Sequence, residues 1–177
     1  VVEEVKRAEA EGFDAVSIDC AMDTVVRASR EAACIPVTSA GEASYLLAMG
    51  LCTKFSVVTV LKSTAQTIRD NIARYGFASR VASVRHADIP VLDLKNGKKA
   101  FAAILKEARE AVEKDGAEAI VLGCTGMSSL ARRLQNRLHV PVVDPAAASL
   151  RLAELYVKEG LAQSRLAYSA PEEKEVR

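Results

Sequence analysis

Two cysteines, Cys20 and Cys124, occupy matching positions in an internal repeat of this chain. Residues 11–20 align with residues 115–124 at an offset of 104, and each copy runs from an acidic residue and a glycine through an apolar stretch to the cysteine. A thiol can act as a general base when it is ionised and as a general acid when it is protonated. Two thiols at equivalent places in facing lobes therefore suit one reaction in particular. One sulfur removes a proton from one face of a carbon atom, and the other returns a proton to the opposite face.

The repeat continues beyond the cysteines with one residue added. Residues 35–37, Ile-Pro-Val, correspond to residues 140–142, Val-Pro-Val, and the pairs Ala-Ser and Leu-Ala within residues 43–48 recur within residues 148–153. Each copy therefore predicts the end of a helix, a buried strand, a cysteine, a helix, a short strand at the proline and a further helix.

Strands that alternate with helices of this length predict an α/β protein with parallel sheets, whose site lies at the carboxyl ends of the strands. Apolar and β-branched runs, helical spacing and capping residues give the bounds. The predicted strands are 15–19, a short one from Pro36, 55–60, 81–85 and 119–122, with residues 89–93 extended by Pro90. The predicted helices include 2–11, 41–49, 98–114, 127–138 and 147–159. Two further helices are predicted from their caps. One is capped by Asp23 or Thr24 and ends at Ala33, and the other is capped by Ser63 or Thr64 and ends near Tyr75.

The repeat divides the chain into two pseudo-symmetric lobes, each a parallel sheet flanked by helices. We predict that residues 1–53 together with residues 146–177 form the first lobe and that residues 54–145 form the second. The second copy is preceded by strand–helix–strand material, residues 54–98, that the first copy lacks. We therefore expect the N-terminal part of the first lobe to be missing, with a matching section upstream of Val1.

The bulk composition excludes several functional classes. The net charge of +1 gives no strong field for nucleic acid or a membrane surface, and no apolar run approaches the roughly 18 residues of a membrane-spanning helix. Four cysteines without a Cys-x-x-Cys pair do not form the disulfide pattern of a secreted protein, and His86 and His139 are too far apart in the sequence to suggest a zinc site. We therefore expect a protein of the reducing cytoplasm that binds a small molecule and neither nucleic acid nor a membrane.

Each cysteine of the repeat is predicted to follow a strand directly and to precede the start of a helix. Backbone N–H groups and the helix dipole favour an anion there and lower the pKa of a thiol from about 8.5 toward neutrality. Two such thiols on opposite sides of a substrate form a coupled pair, with one thiolate and one thiol at any moment. Cys34 and Cys52 lack this context, and we expect both to pack in the interior.

Residues near the second cysteine and at predicted strand ends complete the candidate site. Gly126 lets the backbone approach a ligand, and Thr125 together with nearby N–H groups can hydrogen-bond a developing enolate oxygen. Asp23 and Thr59 are candidate substrate-binding residues in the wall of the site. Asp23 serves equally well as a helix cap, and Thr59 as an ordinary strand residue.

Other thiol chemistries fit the spacing less well. A phosphatase loop has five residues between Cys and Arg, whereas six residues separate Cys20 from Arg27 and seven separate Cys124 from Arg132. A Cys–His protease needs a histidine beside the cysteine, and both histidines have ordinary structural explanations. Cysteines after strands are also common core residues, and a disulfide between the two would abolish their acid–base role.

Several motifs together carry a family resemblance across nearly all of the chain. They are residues 14–20 with Asp23 three further on, 35–37 ahead of Gly41-Glu42-Ala43, 55–59, 89–92 and 122–127. In these motifs the chain resembles the hydantoin and allantoin racemase branch of the aspartate/glutamate racemase superfamily. Gly-Cys-Thr-Gly-Met at residues 123–127 favours this branch, because the amino-acid racemases tend to have Glu after Gly-Cys-Thr and Asn-Thr after the first cysteine.

The resemblance implies a cofactor-independent racemase with two pseudo-symmetric α/β lobes, an active site between them, and Cys20 and Cys124 as opposed bases. It also implies self-association into a homo-oligomer. The chain departs from the branch at Ala21, where an aromatic residue is usual, and at Thr24, where Pro is usual. The N-terminal strand of the family, with its Asn-Pro-Asn-Thr-like substrate loop, is absent. The resemblance therefore leaves the substrate's ring substituent open.

Three alternative functions are consistent with the sequence. The first is racemisation at a carbon next to a carbonyl, with a 5-substituted hydantoin or allantoin as substrate. The second is a decarboxylase or cis–trans isomerase of the same superfamily that uses a single cysteine, which the presence of both cysteines argues against. The third is a non-catalytic, two-lobed ligand-binding protein in which the thiols only pack.

Overall fold

The computed structural model describes residues 1–95 and 97–170, and within them six strands form two parallel sheets. The strands are β1 (Val16–Ile18), β2 (Val37–Ser39), β3 (Phe55–Thr59), β4 (Val81–His86), β5 (Ala119–Leu122) and β6 (Val142–Val143). β1 and β2 pair with Val16 opposite Val37, while the second sheet has the order β4-β3-β5-β6 with Phe55 opposite Ala119. Parallel pairing throughout requires crossover connections, and helices supply them.

Seven α-helices and three short 3₁₀ segments connect these strands in the described residues. The helices are α1 (Val2–Ala10), α2 (Val26–Ala32), α3 (Ala40–Met49), α4 (Lys62–Arg74), α5 (Gly97–Glu113), α6 (Ala131–Leu138) and α7 (Pro145–Lys158); the 3₁₀ segments are Ala78–Arg80, Val91–Lys95 and Thr125–Leu130. The predicted α/β class, with parallel sheets flanked by helices, is confirmed.

The second sheet is buried on both faces, which explains why its central strand β5 is apolar at every position. On one face Val58 and Leu122 pack against Ile104 of α5 and Leu134 of α6. On the other face Val57 and Val121 pack with residues of α3 and α4, among them Tyr45 and Ile68. Because both faces are covered, the carboxyl edge of the sheet is where a side chain leaving a strand can reach a ligand.

The first sheet draws on both ends of the described chain. Val5 of α1 and Val26 of α2 pack against Ile18 and Val37 of its strands. From the distant helix α7, the Ser149 hydroxyl accepts a hydrogen bond from Ser17 at 2.7 Å, and its carbonyl accepts one from Thr38 at 3.0 Å. After α7 the Gln163 side chain also returns to this sheet, where it accepts from the Val37 N–H and donates to the Ala33 and Ile35 carbonyls.

Helix α3 contacts both sheets. It follows β2 directly, yet its Tyr45 ring stacks on Phe55 of β3 with ring centroids 5.9 Å apart. The boundary between the two predicted lobes therefore stays a prediction. Residues 171–177 of the predicted first lobe lie outside the described residues.

Three local predictions are wrong. Helix α2 begins at Val26 without a side-chain cap, because the Asp23 carboxylate is bound to the start of α3 instead. Residues 91–95 form a 3₁₀ turn and not an extended segment, since the fixed φ of Pro90 also suits a turn and its carbonyl accepts from the Asp93 N–H at 2.9 Å. The predicted helix 127–138 is split into a 3₁₀ segment and α6.

Candidate active site

Cys124 lies two residues beyond the end of β5, in a turn that β3 holds in place. The Gly123 N–H donates to the Val58 carbonyl at 2.8 Å, and the Thr59 hydroxyl donates to the Gly123 carbonyl at 2.9 Å. Both polar groups of the residue before the cysteine are thus bound to β3. The start of the turn is therefore fixed relative to the sheet.

Gly123 is required by close packing. A Cβ atom at this position would lie 2.7 Å from the Thr59 Cβ and 2.9 Å from the Ile68 Cδ1, closer than such atoms approach in proteins. Its φ is not in the left-handed region, so the absence of a side chain matters for space and not for backbone conformation.

The backbone after Cys124 turns into the 3₁₀ segment, and this places Gly126 beside the sulfur. The Gly126 N–H hydrogen-bonds the Cys124 thiol, and a Cβ on Gly126 would lie 3.6 Å from the Cys124 Sγ. The same point lies 3.0 Å from Leu94 Cδ1 and 3.8 Å from Val91 Cγ1. The missing side chain of Gly126 therefore lets the sulfur and two apolar side chains pack close together.

Burial raises the pKa of the Cys124 thiol above its ordinary value. The Gly126 N–H opposes this shift, while the charges of Cys20 and Asp19 add to it. The predicted lowering of this pKa is therefore wrong. Cys124 is half-buried against the apolar core of the second sheet, and a six-residue 3₁₀ segment supplies a smaller dipole than a long α-helix does.

The raised pKa predicts the pH dependence of Cys124 alkylation. Because burial favours the neutral thiol, the thiolate forms only at higher pH than in the unfolded chain. We expect the iodoacetamide rate at Cys124, followed by peptide mass spectrometry, to rise with a midpoint above that of the same peptide in unfolded protein. Cys20→Ala removes a neighbouring charge and is expected to lower this midpoint. A midpoint at or below the unfolded value contradicts the prediction.

Cys20 lies two residues beyond β1, but it does not stand at a helix start. Its N–H donates to the Ile18 carbonyl at 2.9 Å, its carbonyl accepts from the Asp23 N–H at 3.0 Å, and its Sγ lies 3.5 Å from the Thr24 hydroxyl. Helix α2 begins only at Val26. The prediction that a helix start follows Cys20 directly is therefore wrong, because a turn with positive φ at Asp23 and Val25 intervenes.

The two cysteine turns contact each other. The Thr125 hydroxyl donates to the carbonyl of Asp19, the residue before Cys20, at 3.4 Å. The charge of Cys20 also raises the pKa of Cys124, so the two sulfurs are close enough to interact electrostatically. The structure thus brings Cys20, Cys124, Thr125 and Gly126 together.

Asp23 and Thr59 lie in the interior, beneath the two cysteine turns. Thr59 is fully buried, and its hydroxyl is bonded to the turn before Cys124. Asp23 is 7 % exposed, and its carboxylate accepts four hydrogen bonds from protein groups. Both residues support the cysteine turns from below in this structure, although they were predicted as walls that touch the substrate.

Sequence reasoning missed three residues of the site. Asp19 is exposed beside Cys20 and acts on the pKa of Cys124, and its position next to a cysteine was a visible signal. Val91 and Leu94 approach Gly126 from a turn some thirty residues earlier in the chain, and no pattern in the sequence indicates that contact. Beside β1, Asp19 and Cys20 also line a cavity of about 380 Å³.

The remaining cysteines and histidines lie elsewhere. Cys34 is exposed, so the prediction that it packs is wrong; it sits on the loop before β2, where the Glu9 carboxylate binds its N–H. Cys52 is half-buried and packs against the second sheet. His86 ends β4 and pairs with Asp88 at 2.9 Å, while His139 ends α6 in the left-handed conformation.

Across residues 1–95 and 97–170, no three His, Cys, Asp or Glu side chains gather in a group that could hold a metal ion. Over the same part of the chain, no helix has the length and apolar character needed to cross a membrane.

Comparison with known proteins finds consistent similarity. The family model for Asp/Glu/Hydantoin racemase matches residues 1–153. The chain is 41 % identical over 177 residues to a hydantoin racemase of Pseudomonas sp. (strain NS671), an alignment that covers 99 % of this chain and 71 % of that protein. Allantoin racemase from Klebsiella pneumoniae superimposes with a TM-score of 0.93 at 35 % identity, over 99 % of this chain and 73 % of that one. Allantoin racemase from Pseudomonas fluorescens gives a TM-score of 0.90 at 36 % identity, over 93 % and 71 %.

Proposed function

The chain belongs to the Asp/Glu/hydantoin racemase family, and we propose that it racemises a 5-substituted hydantoin or allantoin with Cys20 and Cys124 as a pair of opposed acid–base groups. The reacting atom is the ring carbon C5, whose hydrogen lies beside a carbonyl. One thiolate removes this proton, the resulting anion is an enolate, and the other thiol returns a proton to the opposite face. No external cofactor is required for these steps.

The contact between the two cysteine turns is the observation that carries this proposal. Thr125 bridges from the Cys124 turn to the Asp19 carbonyl, and the charge of Cys20 acts on the Cys124 thiol. A two-base reaction needs two titratable groups whose protonation is coupled, because each must be in the opposite state to its partner. The alternative of two packed core cysteines requires no such coupling and no exposed residues beside them.

Burial favours the neutral thiol of Cys124, which supports Cys124 as the proton donor in one direction of the reaction, with Cys20 as the base. In the opposite direction, which starts from the other enantiomer, the two cysteines exchange these roles.

Thr125 and Gly126 are the substrate-contacting residues of this proposal. The Thr125 hydroxyl makes only a long hydrogen bond to Asp19 and can be redirected to the developing enolate oxygen. Val91 and Leu94, which lie beside Gly126, offer an apolar surface to the C5 substituent. Asp23 and Thr59 hold the two turns from beneath.

We also propose the lobe boundaries, the oligomeric state and the compartment of the chain. We assign residues 1–53 with residues 146–177 to one lobe and residues 54–145 to the other, and we expect a homo-oligomer. Four free cysteines support a reducing compartment, the cytoplasm. A small molecule is the partner at the site between the cysteines.

The test uses single enantiomers of 5-benzylhydantoin and of allantoin. We expect optical rotation to decay to zero in water, and the C5 hydrogen to be replaced by deuterium in D₂O as followed by NMR. A reaction without protein at the same pH measures spontaneous racemisation, and pre-dialysis against a chelator tests independence from metal ions. Retention of rotation without deuterium incorporation, for both compounds, would refute the proposal; carbon dioxide release from a substituted malonate would favour a decarboxylase instead.

A further inference from the structure

The Asp23 carboxylate lies where the Cys20 turn meets two helices. Its Oδ1 accepts from the Ser39 hydroxyl at 2.5 Å and from the Gly41 N–H at 2.8 Å. Its Oδ2 accepts from the Glu42 N–H at 2.9 Å and from the Tyr75 hydroxyl at 3.1 Å. Asp23 thus binds free N–H groups in the first turn of α3 and, through Tyr75, the residue that ends α4.

The turn that carries Cys20 is bound at several points to the same groups. The Asp23 N–H donates to the Cys20 carbonyl at 3.0 Å, and the Ser39 hydroxyl lies 3.5 Å from that carbonyl. One residue before Asp23, the Met22 carbonyl accepts from the Asn71 amide at 2.6 Å. Because Asn71 belongs to α4, which packs on the second sheet, these bonds tie the Cys20 turn to the sheet that carries Cys124.

Gly41 shows how tightly the turn is pressed onto α3. A Cβ atom on Gly41 would lie 2.5 Å from the Ala21 carbonyl oxygen and 2.5 Å from the Asp23 Oδ2. No side chain fits between them. The path of the turn is therefore determined by the start of α3 as well as by β1.

Asp23 itself has the character of an anchor and not of a ligand-binding group. It is buried. Arg30 forms its ion pair with Glu42, and the hydrogen bonds to Asp23 come from uncharged donors. Burial raises its pKa, against the hydrogen bonds from Ser39, Gly41 and Tyr75, and the Glu42 charge raises it further. The backbone at Asp23 is also strained, because its φ of 52° lies in the left-handed region.

We propose that Asp23 is a positioning residue that sets the location of the Cys20 sulfur relative to Cys124 by anchoring the Cys20 turn to α3 and α4. This inference rests on the two-base function proposed above. The bonds from Tyr75 and Asn71 carry the constraint across to the second sheet, so a change at Asp23 moves one sulfur and leaves the other in place.

The experiment compares Asp23→Asn and Tyr75→Phe with matched controls on exposed or unbonded side chains. Asn keeps one acceptor oxygen, but its NH₂ group replaces the second oxygen and cannot accept the hydrogen bonds that Oδ2 accepts from the Glu42 N–H and the Tyr75 hydroxyl. Phe at position 75 removes only the Tyr75 bond. Asp70→Asn, on the exposed side of α4, and Tyr156→Phe, on α7, are the controls. Each variant is measured for kcat and KM in racemisation and for the separate iodoacetamide rates of Cys20 and Cys124.

We expect Asp23→Asn to lower kcat by about 10²-fold, the size of effect that a misplacement of about 1 Å produces, and Tyr75→Phe by about 10-fold. KM is expected to change less than kcat. The alkylation rate of Cys20 should shift several-fold in both variants while that of Cys124 stays near the wild-type rate, and the controls should match wild type throughout.

Two results overturn the inference. The first is a kcat of folded Asp23→Asn that equals the kcat of its control. If Asp23→Asn does not fold, the same comparison is made with Tyr75→Phe. The other is an equal change in the alkylation of both cysteines together with a lower melting temperature, which indicates general destabilisation. If wild-type protein neither racemises nor exchanges either compound, the proposed function fails, and the selective change at Cys20 still decides whether Asp23 positions that thiol.

Discussion

Replacing Cys124 with alanine is expected to reduce kcat for racemisation by about 10²- to 10⁴-fold, since a positioned acid–base group contributes about that much. The variant keeps the other thiol but has no group on the second face of C5 to complete the inversion. Cys20→Ala is expected to cause a loss of the same size for the same reason. Cys34→Ala and Cys52→Ala remove thiols that lie outside the site and serve as matched controls.

The two variants should differ in one diagnostic respect. Each retains a single base, which can exchange the C5 hydrogen of only the enantiomer that presents this hydrogen to it. In D₂O we expect Cys20→Ala to incorporate deuterium into one enantiomer and Cys124→Ala into the opposite one, as followed by NMR. Incorporation into the same enantiomer by both variants, or racemisation within two-fold of the controls, would show that the two sulfurs do not face one carbon.

Gly123→Ala is expected to lower the stability of the fold. The added Cβ would meet Thr59 and Ile68 at distances below 3 Å, and both neighbours are fully buried with no space to move. Overpacking of this kind costs about 1–3 kcal/mol in the free energy of unfolding. For a chain of this length that corresponds to a fall in melting temperature of about 2–12 °C, measured by calorimetry.

The substitution should also move Cys124, because Gly123 is bonded to β3 through both its N–H and its carbonyl. We therefore expect kcat to fall even at temperatures where the variant is folded. Gly50→Ala is the control, because a Cβ there makes only an ordinary contact of 3.5 Å with the Leu47 carbonyl. Equal melting temperatures for the two variants would mean that the packing around Gly123 can relax.

The sequence allowed the strand before Cys124 and the turn that carries this cysteine to be located correctly. Residues 119–122 form the predicted strand with the predicted bounds, because a strand buried on both faces is apolar at every position. Gly-Cys-Thr-Gly follows at the carboxyl edge, where a parallel sheet presents its functional groups. Local pattern was sufficient here because the constraint is local.

Asp23 shows why the rest could not be predicted. A short acidic residue ahead of a helical pattern indicates an N-cap, and in this chain the cap is made to a different helix. Its partners lie 16 to 52 residues further along the chain, and nothing in the neighbouring sequence identifies them. The pKa of Cys124 was mispredicted for a related reason: the balance between burial and backbone donors depends on packing that only the folded chain defines.

The contribution of Ser149 and Gln163 to the first sheet bears on how the protein is made. All four strands of the larger sheet lie between Phe55 and Val143, so they are synthesised before Ser149. Strands β1 and β2 are synthesised earlier still, yet hydroxyl and amide groups that hydrogen-bond this sheet belong to Ser149 and Gln163. Because domains generally fold as they are synthesised, we expect the larger sheet to form before the first sheet gains these hydrogen bonds.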